Sequence, residues 1–394
     1  MVNSKDCHLI LYLVVIFIVL RCSCSSEVPH PNRRLETSRK RNLTTGSRRH
    51  NMPLAKIDLH SHFVPDFYRD ALLEAGIDKP DGMPRIPEWT EQSHLDFHSQ
   101  LNVRKSILSI TSPGTHLVPG NDENARHLTR RVNEYAADLK RRKPDEFGFF
   151  ASLPLPDVNG SLEEIAYAID TLNADGFTLM SNHHGHYPGD SIFDPVFDEL
   201  NRRKAIVFIH PTTPCTAVPG EGCVQAAPLA HTYPRSTFEF FFDTARVYTN
   251  LFLKGTISRC PDITFVVTHG GGCLPPLITR VSSVPAILKL PGLDTAVNPT
   301  FVKERLNSEQ FFFDTAGWIF PDQIKGLLAY LEEKTKGKRM VYGSDIPWTP
   351  FGAVKTLSED HDKYLSEFFP GEEESVGTGN AERLLKWKGR PGQA

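Results

Sequence analysis

Four short apolar runs in this chain end in side chains that bind metal ions or move protons. They read Ile57-Asp-Leu-His60-Ser-His62, Ile206-Val-Phe-Ile-His210, Thr264-Phe-Val-Val-Thr-His269 and Met340-Val-Tyr-Gly-Ser-Asp345. Two histidines at i and i+2 of a strand point to the same face, so His60 and His62 can reach one ion together. A single histidine after an aliphatic run is ordinarily a core or loop residue. Three such runs and a terminal aspartate are hard to explain that way, and they point to a metal site. Three nitrogen donors and one carboxylate suit a borderline divalent ion, Zn²⁺ first, with Mn²⁺ also allowed. One ion is expected rather than two, because Gly176–Asn182 offers neither lysine nor carboxylate as a bridge. His183, His184 and His186 follow that segment and read as a solvated loop or as substrate groups.

These side chains meet only if the runs are parallel strands ending on one side. Strands are expected over Lys56–Phe63, Lys105–Ser112, Phe147–Leu155, Gly176–Asn182, Ala205–Pro211, Ile263–Gly270, Phe311–Ala316 and Arg339–Asp345. Most are continuous runs of Ile, Val, Phe and Leu, as strands covered on both faces must be. Helical patterns lie between them. Asp122–Arg142 carries Leu128, Val132, Ala136 and Leu139 on one face, and Ser161-Leu-Glu-Glu164 reads as a capping box opening a helix to Leu172. Further helices are expected over Pro195–Arg203, Ser236–Ser258, Leu274–Leu290, Pro321–Leu331 and Thr356–Phe369. This alternation predicts an α/β fold, a (β/α)8 TIM-like barrel with a mononuclear metal site at its C-terminal mouth. An open doubly wound sheet is the alternative, but it usually carries a glycine-rich turn where this chain has His60-Ser-His62.

The 394 residues, 40% of them hydrophobic and 23% charged, suffice for one large core, and a net charge of −3 gives no sign of a nucleic-acid binder. Residues 1–25 are set apart by the apolar run Leu9–Leu20, which is flanked by Lys5 and Arg21. As a helix it rises only about 18 Å, short of a ~30 Å hydrocarbon core, so it reads as a secretory signal or anchor. Residues 26–52 form a basic leader without apolar periodicity, and residues 53–394 the catalytic domain. Entry into the secretory pathway would make Asn42 and Asn159 glycosylation acceptors; a cytosolic enzyme is the alternative if the leader is inert. Cys215 and Cys223 flank a Pro/Gly loop and either bridge or stay as buried thiols. Pro211–Pro234 reads as a lid or an interface loop.

At Asp58-Leu-His60-Ser-His62, Phe208-Ile-His210-Pro211, Thr268-His269-Gly-Gly271, Tyr342-Gly-Ser-Asp345 and Gly379-Asn-Ala-Glu-Arg-Leu-Leu385 the chain resembles the amidohydrolase superfamily. Within it the likeness is to the aminocarboxymuconate-semialdehyde decarboxylase-like branch, over roughly Lys56 to Lys388. Ser112-Pro-Gly-Thr-His-Leu-Val-Pro-Gly120, Phe149–Pro156 and Glu239–Ala245 are similar to fungal 6-methylsalicylate decarboxylases. The secretory-looking leader departs from many relatives. The resemblance implies that His60, His62, His210 and Asp345 hold the metal, that His269 is a catalytic acid/base, and that the protein is a homodimer. It further implies non-oxidative decarboxylation of a small aromatic carboxylate, with Asp345 or His269 delivering the proton. Arg235 and Arg246 are candidates for gripping the substrate carboxylate, and Trp318 and Trp348, following strands seven and eight, for contacting its ring. A metal-dependent hydrolase on the same scaffold is the rival reading.

Overall fold

The computed structural model describes residues 53–218, 222–288 and 291–387. The expected signal and the basic leader lie outside them. Asn51–Ala394 forms one compact unit. Its strands are β1 Lys56–His62, β2 Val103–Ser109, β3 Phe147–Ser152, β4 Gly176–Met180, β5 Ile206–His210, β6 Cys215–Val218, β7 Gly222–Gln225, β8 Thr264–Val267, β9 Phe311–Asp314 and β10 Met340–Val341. Eight of them make one parallel sheet in the order β1-β2-β3-β4-β5-β8-β9-β10, while β6 and β7 pair as an antiparallel hairpin. Beyond β10 the chain runs on alongside β1. Leu59 N donates to Tyr342 O at 3.0 Å and His62 N to Ile346 O at 2.8 Å, closing the barrel.

The strand sequences explain the layering. Alternate residues such as Leu59, Phe150, Phe208, Val266 and Phe312 fill the barrel interior. Their neighbours Phe149, Phe177, Val207, Phe265 and Phe311 pack outward against the helices. Burial on both faces is why these runs read as continuously apolar. Helix Asp122–Arg142 has the expected bounds, with Leu128, Val132, Ala136 and Leu139 all buried.

Several expectations needed correction. The helix assigned to Ser161–Leu172 spans Val158–Asp170, because Asp157 caps it: its Oδ1 accepts from Gly160 N at 3.0 Å. Ser161 lies inside that helix and donates to Asp157 O. Helix Ser236–Ser258 is Arg235–Leu253 and a separate turn Thr256–Arg259, split at Gly255 with φ 79°. Strand six ends at Val267, and strand eight has only Met340 and Val341 in the ladder. Helices Asp66–Glu74, Glu91–Leu101 and Pro299–Asn307 were not anticipated. Pro211–Pro234 contains the β6–β7 hairpin, with Cys215 and Cys223 bridged at a Cα separation of 5.7 Å.

Candidate metal centre and active site

The barrel brings His60 and His62 from β1, His210 from β5 and Asp345 from the segment after β10 to one point. Their ligand atoms all lie within 4.8 Å of one another. Asp345 Oδ1 stands 3.2 Å from His62 Nε2 and 3.5 Å from His60 Nε2. His60 Nε2, His62 Nε2, both His210 ring nitrogens and Asp345 Oδ1 are buried without a hydrogen-bond partner. Unpaired polar atoms cost free energy away from water, and so many converging on one point suit a divalent cation. The donor set therefore fits one ion. Burial pushes His62 down and His210 well down, so both imidazoles are neutral and offer lone pairs. Burial opposes ionisation of Asp345, but His60 and His62 outweigh it and hold the carboxyl well below the usual range. Burial also opposes protonation of His60, yet Asp314 and Asp345 raise it to about 10, so a cation here competes with that proton.

Asp314 is the residue that sequence reasoning missed. It closes β9 and is fully buried. Its Oδ2 meets His60 Nδ1 at 2.8 Å, while Oδ1 accepts from His269 N at 2.8 Å and Ala316 N at 3.0 Å. It thus fixes which His60 nitrogen faces the ligand cluster, as carboxylates behind metal-binding imidazoles commonly do. The signal was present: Phe311-Phe-Phe-Asp314 ends an apolar run in a carboxylate, like the segment before Asp345. His62 is oriented in the same manner, its Nδ1 lying 3.1 Å from Ser109 Oγ and 3.3 Å from Ser109 O.

His269 stands beside this cluster, its ring centroid 4.9 Å from that of His60. Its Nδ1 meets Ala316 O at 3.2 Å, and a carbonyl only accepts, so Nδ1 carries the proton and Nε2 the lone pair. Burial pushes its pKa down, keeping the ring neutral. Both His269 (φ 52°) and Asp345 (φ 59°) hold left-handed backbone, worth roughly 1–3 kcal/mol of strain each. Hydrogen bonds over-determine both. Gln323 donates to His269 O, and Asp345 N donates to His60 O at 2.8 Å.

A cavity of about 870 Å³ opens over the cluster, lined by His210, His269 and Asp345 together with Phe240, Phe241 and Trp348. Trp318 also lines it and, 69% exposed, sits at the rim. Neither Arg235 nor Arg246 reaches it. Arg235 Nε donates to Ala226 O at 2.7 Å, and the Arg246 guanidinium lies 4.9 Å over the Tyr187 ring. No described residue lining the cavity is Arg or Lys. Of the histidines after β4, His183 is buried and His184 half-buried, with its Nε2 2.9 Å from His116 Nδ1, while His186 is exposed as expected of a solvated loop.

The sequence profile described as amidohydrolase matches residues 57–387. The chain belongs to the amidohydrolase family. Among its relatives, the decarboxylase yanB of Aspergillus niger is 38% identical over 303 residues, covering 76% of this chain and 79% of that one. A 6-methylsalicylic acid decarboxylase of Penicillium expansum is 36% identical over 306 residues, covering 76% of this chain and 87% of the relative. In fold it is similar to a crystal structure of a dihydroxybenzoic acid decarboxylase from Polaromonas sp. with bound manganese and 2-nitroresorcinol. That likeness has a TM-score of 0.67 at 18% identity, over 84% of this chain and 97% of the other.

Proposed function

We propose that this amidohydrolase is a metal-dependent carboxy-lyase that decarboxylates an ortho-hydroxybenzoate without oxidation, with 6-methylsalicylate giving m-cresol and CO2. One observation carries the reading: a buried three-histidine, one-aspartate cluster on the floor of an aromatic cavity, with a neutral imidazole beside it. The relatives named as decarboxylases support it. A divalent ion held by His60, His62, His210 and Asp345 would supply Lewis acidity and fix an anionic substrate in place.

The chain's own residues do the rest. Loss of CO2 straight from an aryl carboxylate leaves an in-plane carbanion that the ring cannot delocalise, so the carboxyl-bearing carbon must be protonated first. Asp345 is held ionised between His60 and His62, as a ligand to a cation must be. His269 Nε2 carries a lone pair, which suits it to take the phenol proton and return it to that ring carbon. The resulting cyclohexadienone loses CO2 as its C–C electrons return to the ring, and the phenolate takes a proton from water. Phe240, Phe241 and Trp348 supply apolar wall for the ring. With no Arg or Lys among the described lining residues, the substrate's negative charge falls to the metal cluster.

The test is turnover of 6-methylsalicylate by protein loaded with Zn²⁺ or Mn²⁺, following m-cresol by chromatography and CO2 by coupled assay. Metal-dependent formation of both supports the reading. Failure with every ortho-hydroxybenzoate from folded, metal-loaded protein, with ester or amide hydrolysis instead, would replace it by the hydrolase reading.

A further inference from the structure

The barrel mouth has a second chamber. About 510 Å³ in volume, it lies over the β2–β5 side and is lined by none of the four metal-cluster residues. Asp81 lines both cavities, and a hydrogen-bonded wall runs between them. Thr213 N and Oγ1 donate to Asp81 Oδ1 at 3.0 and 2.6 Å, and Ser112 Oγ lies 2.6 Å from Thr212 Oγ1.

Three residues lining this chamber carry buried polar atoms without a partner: Ser152 Oγ, Thr178 Oγ1 and His183 Nε2. Ser152 and Thr178 are register partners on β3 and β4. Ser152 shares the alternation of Phe150, which fills the barrel interior, so both hydroxyl-bearing side chains face inward. His183 is 9% exposed, and its ring bonds the Leu155 carbonyl, which leaves the lone pair on Nε2. Burial takes its pKa to about 3, so Nε2 stays an acceptor near neutral pH. Arg235, absent from the metal cavity, lines this chamber and brings it a positive charge. Leu153 and Met180 add apolar wall.

An occupant that satisfies all of these must offer an O–H donor to His183, oxygen atoms to the two hydroxyls and a negative charge to Arg235. We propose that this chamber is a binding site for a small hydroxylated carboxylate, separate from the metal cavity. Two sources share that chemistry, hydrogencarbonate and a free aromatic hydroxy acid such as salicylate. The proposal stands apart from the decarboxylase reading, because its test reads binding and not turnover.

The experiment titrates the metal-loaded full chain with ¹³C-hydrogencarbonate and, separately, with salicylate, following saturable line broadening by NMR. Thr178→Val removes one hydroxyl at nearly constant volume and is expected to weaken binding about tenfold, the order of a lost hydrogen bond to a charged ligand. Metal content and melting temperature should stay at wild-type values. Ser152→Ala serves as the second variant should Thr178→Val fold poorly. The arm that saturates and responds identifies the source. Absence of saturable binding in both arms overturns the proposal, as does binding that neither variant weakens. Salicylate binding abolished by metal removal yet untouched by both variants belongs to the metal cavity and overturns it equally.

Discussion

Replacing Asp314 by Asn separates the shape of the metal site from its electronics. The carboxylate makes three hydrogen bonds: Oδ2 with His60 Nδ1, and Oδ1 with the backbone N–H groups of His269 and Ala316. Asparagine keeps one acceptor oxygen, which the two N–H groups claim. Its amide nitrogen then faces His60 Nδ1, where a donor compels Nδ1 to accept. The His60 proton moves to Nε2, the atom that points at the ligand cluster, and the ring can no longer serve as a ligand there. Loss of such a supporting partner typically costs about 10–100-fold in metal affinity, roughly 1.4–2.8 kcal/mol. Thermal stability should change less, since both backbone donors keep their acceptor. Competition against a graded chelator, with bound metal read by mass spectrometry, measures the affinity. Wild-type affinity in a folded Asp314→Asn protein would refute the reasoning, and with it the assignment of His60 Nε2 as a ligand.

Two further outcomes are expected. His269→Ala should leave most metal bound while turnover falls ~10²-fold or more, the scale of acid/base removal, and near-normal turnover would reduce His269 to a structural role. Glu199 is held down to about 2 by Arg202 and Arg203, so its folded pKa lies below its unfolded one. Its stabilisation is complete above about pH 4.5 and is lost as pH falls towards 2, worth about 1 kcal/mol because water and salt screen a surface cluster. Glu199→Gln should therefore shed stability near neutral pH but little at pH 2; equal losses at both would contradict the ion-pair account.

The cluster of candidate metal ligands was legible because its signal is local. Each sits at the end of an apolar run, and period-two alternation turns His60 and His62 the same way. The barrel was legible from the sequence of runs. The expectation that Arg235 and Arg246 grip the substrate failed, since neither lines the cavity. Arg235 begins the helix Arg235–Leu253, yet its Nε donates to Ala226 O in the preceding loop, a contact that no pattern along a helix announces. Asp314 was overlooked because an aspartate after Phe311-Phe-Phe resembles an ordinary strand end until the fold sets it behind His60. The expected strands ending in His269 and Asp345 both proved shorter. Both residues lie in left-handed backbone just beyond the ladder, which stops at Val267 and at Val341, and hydrogen bonds from residues distant in sequence hold that conformation.

The seam of the barrel runs through its metal cluster. His60 O accepts from both Ser344 N and Asp345 N, and His62 N donates to Ile346 O, so the first strand and the segment after the last strand meet at the ligands themselves. During synthesis, His60, His62 and His210 leave the ribosome long before Asp345, and the fourth ligand arrives only when the circle of strands is ready to shut. An ion taken up earlier finds an incomplete set of donors on an open sheet. Metal loading at this cluster would thereby wait on completion of the chain, and a protein truncated before residue 345 would lose both the barrel's clasp and the fourth candidate ligand at once.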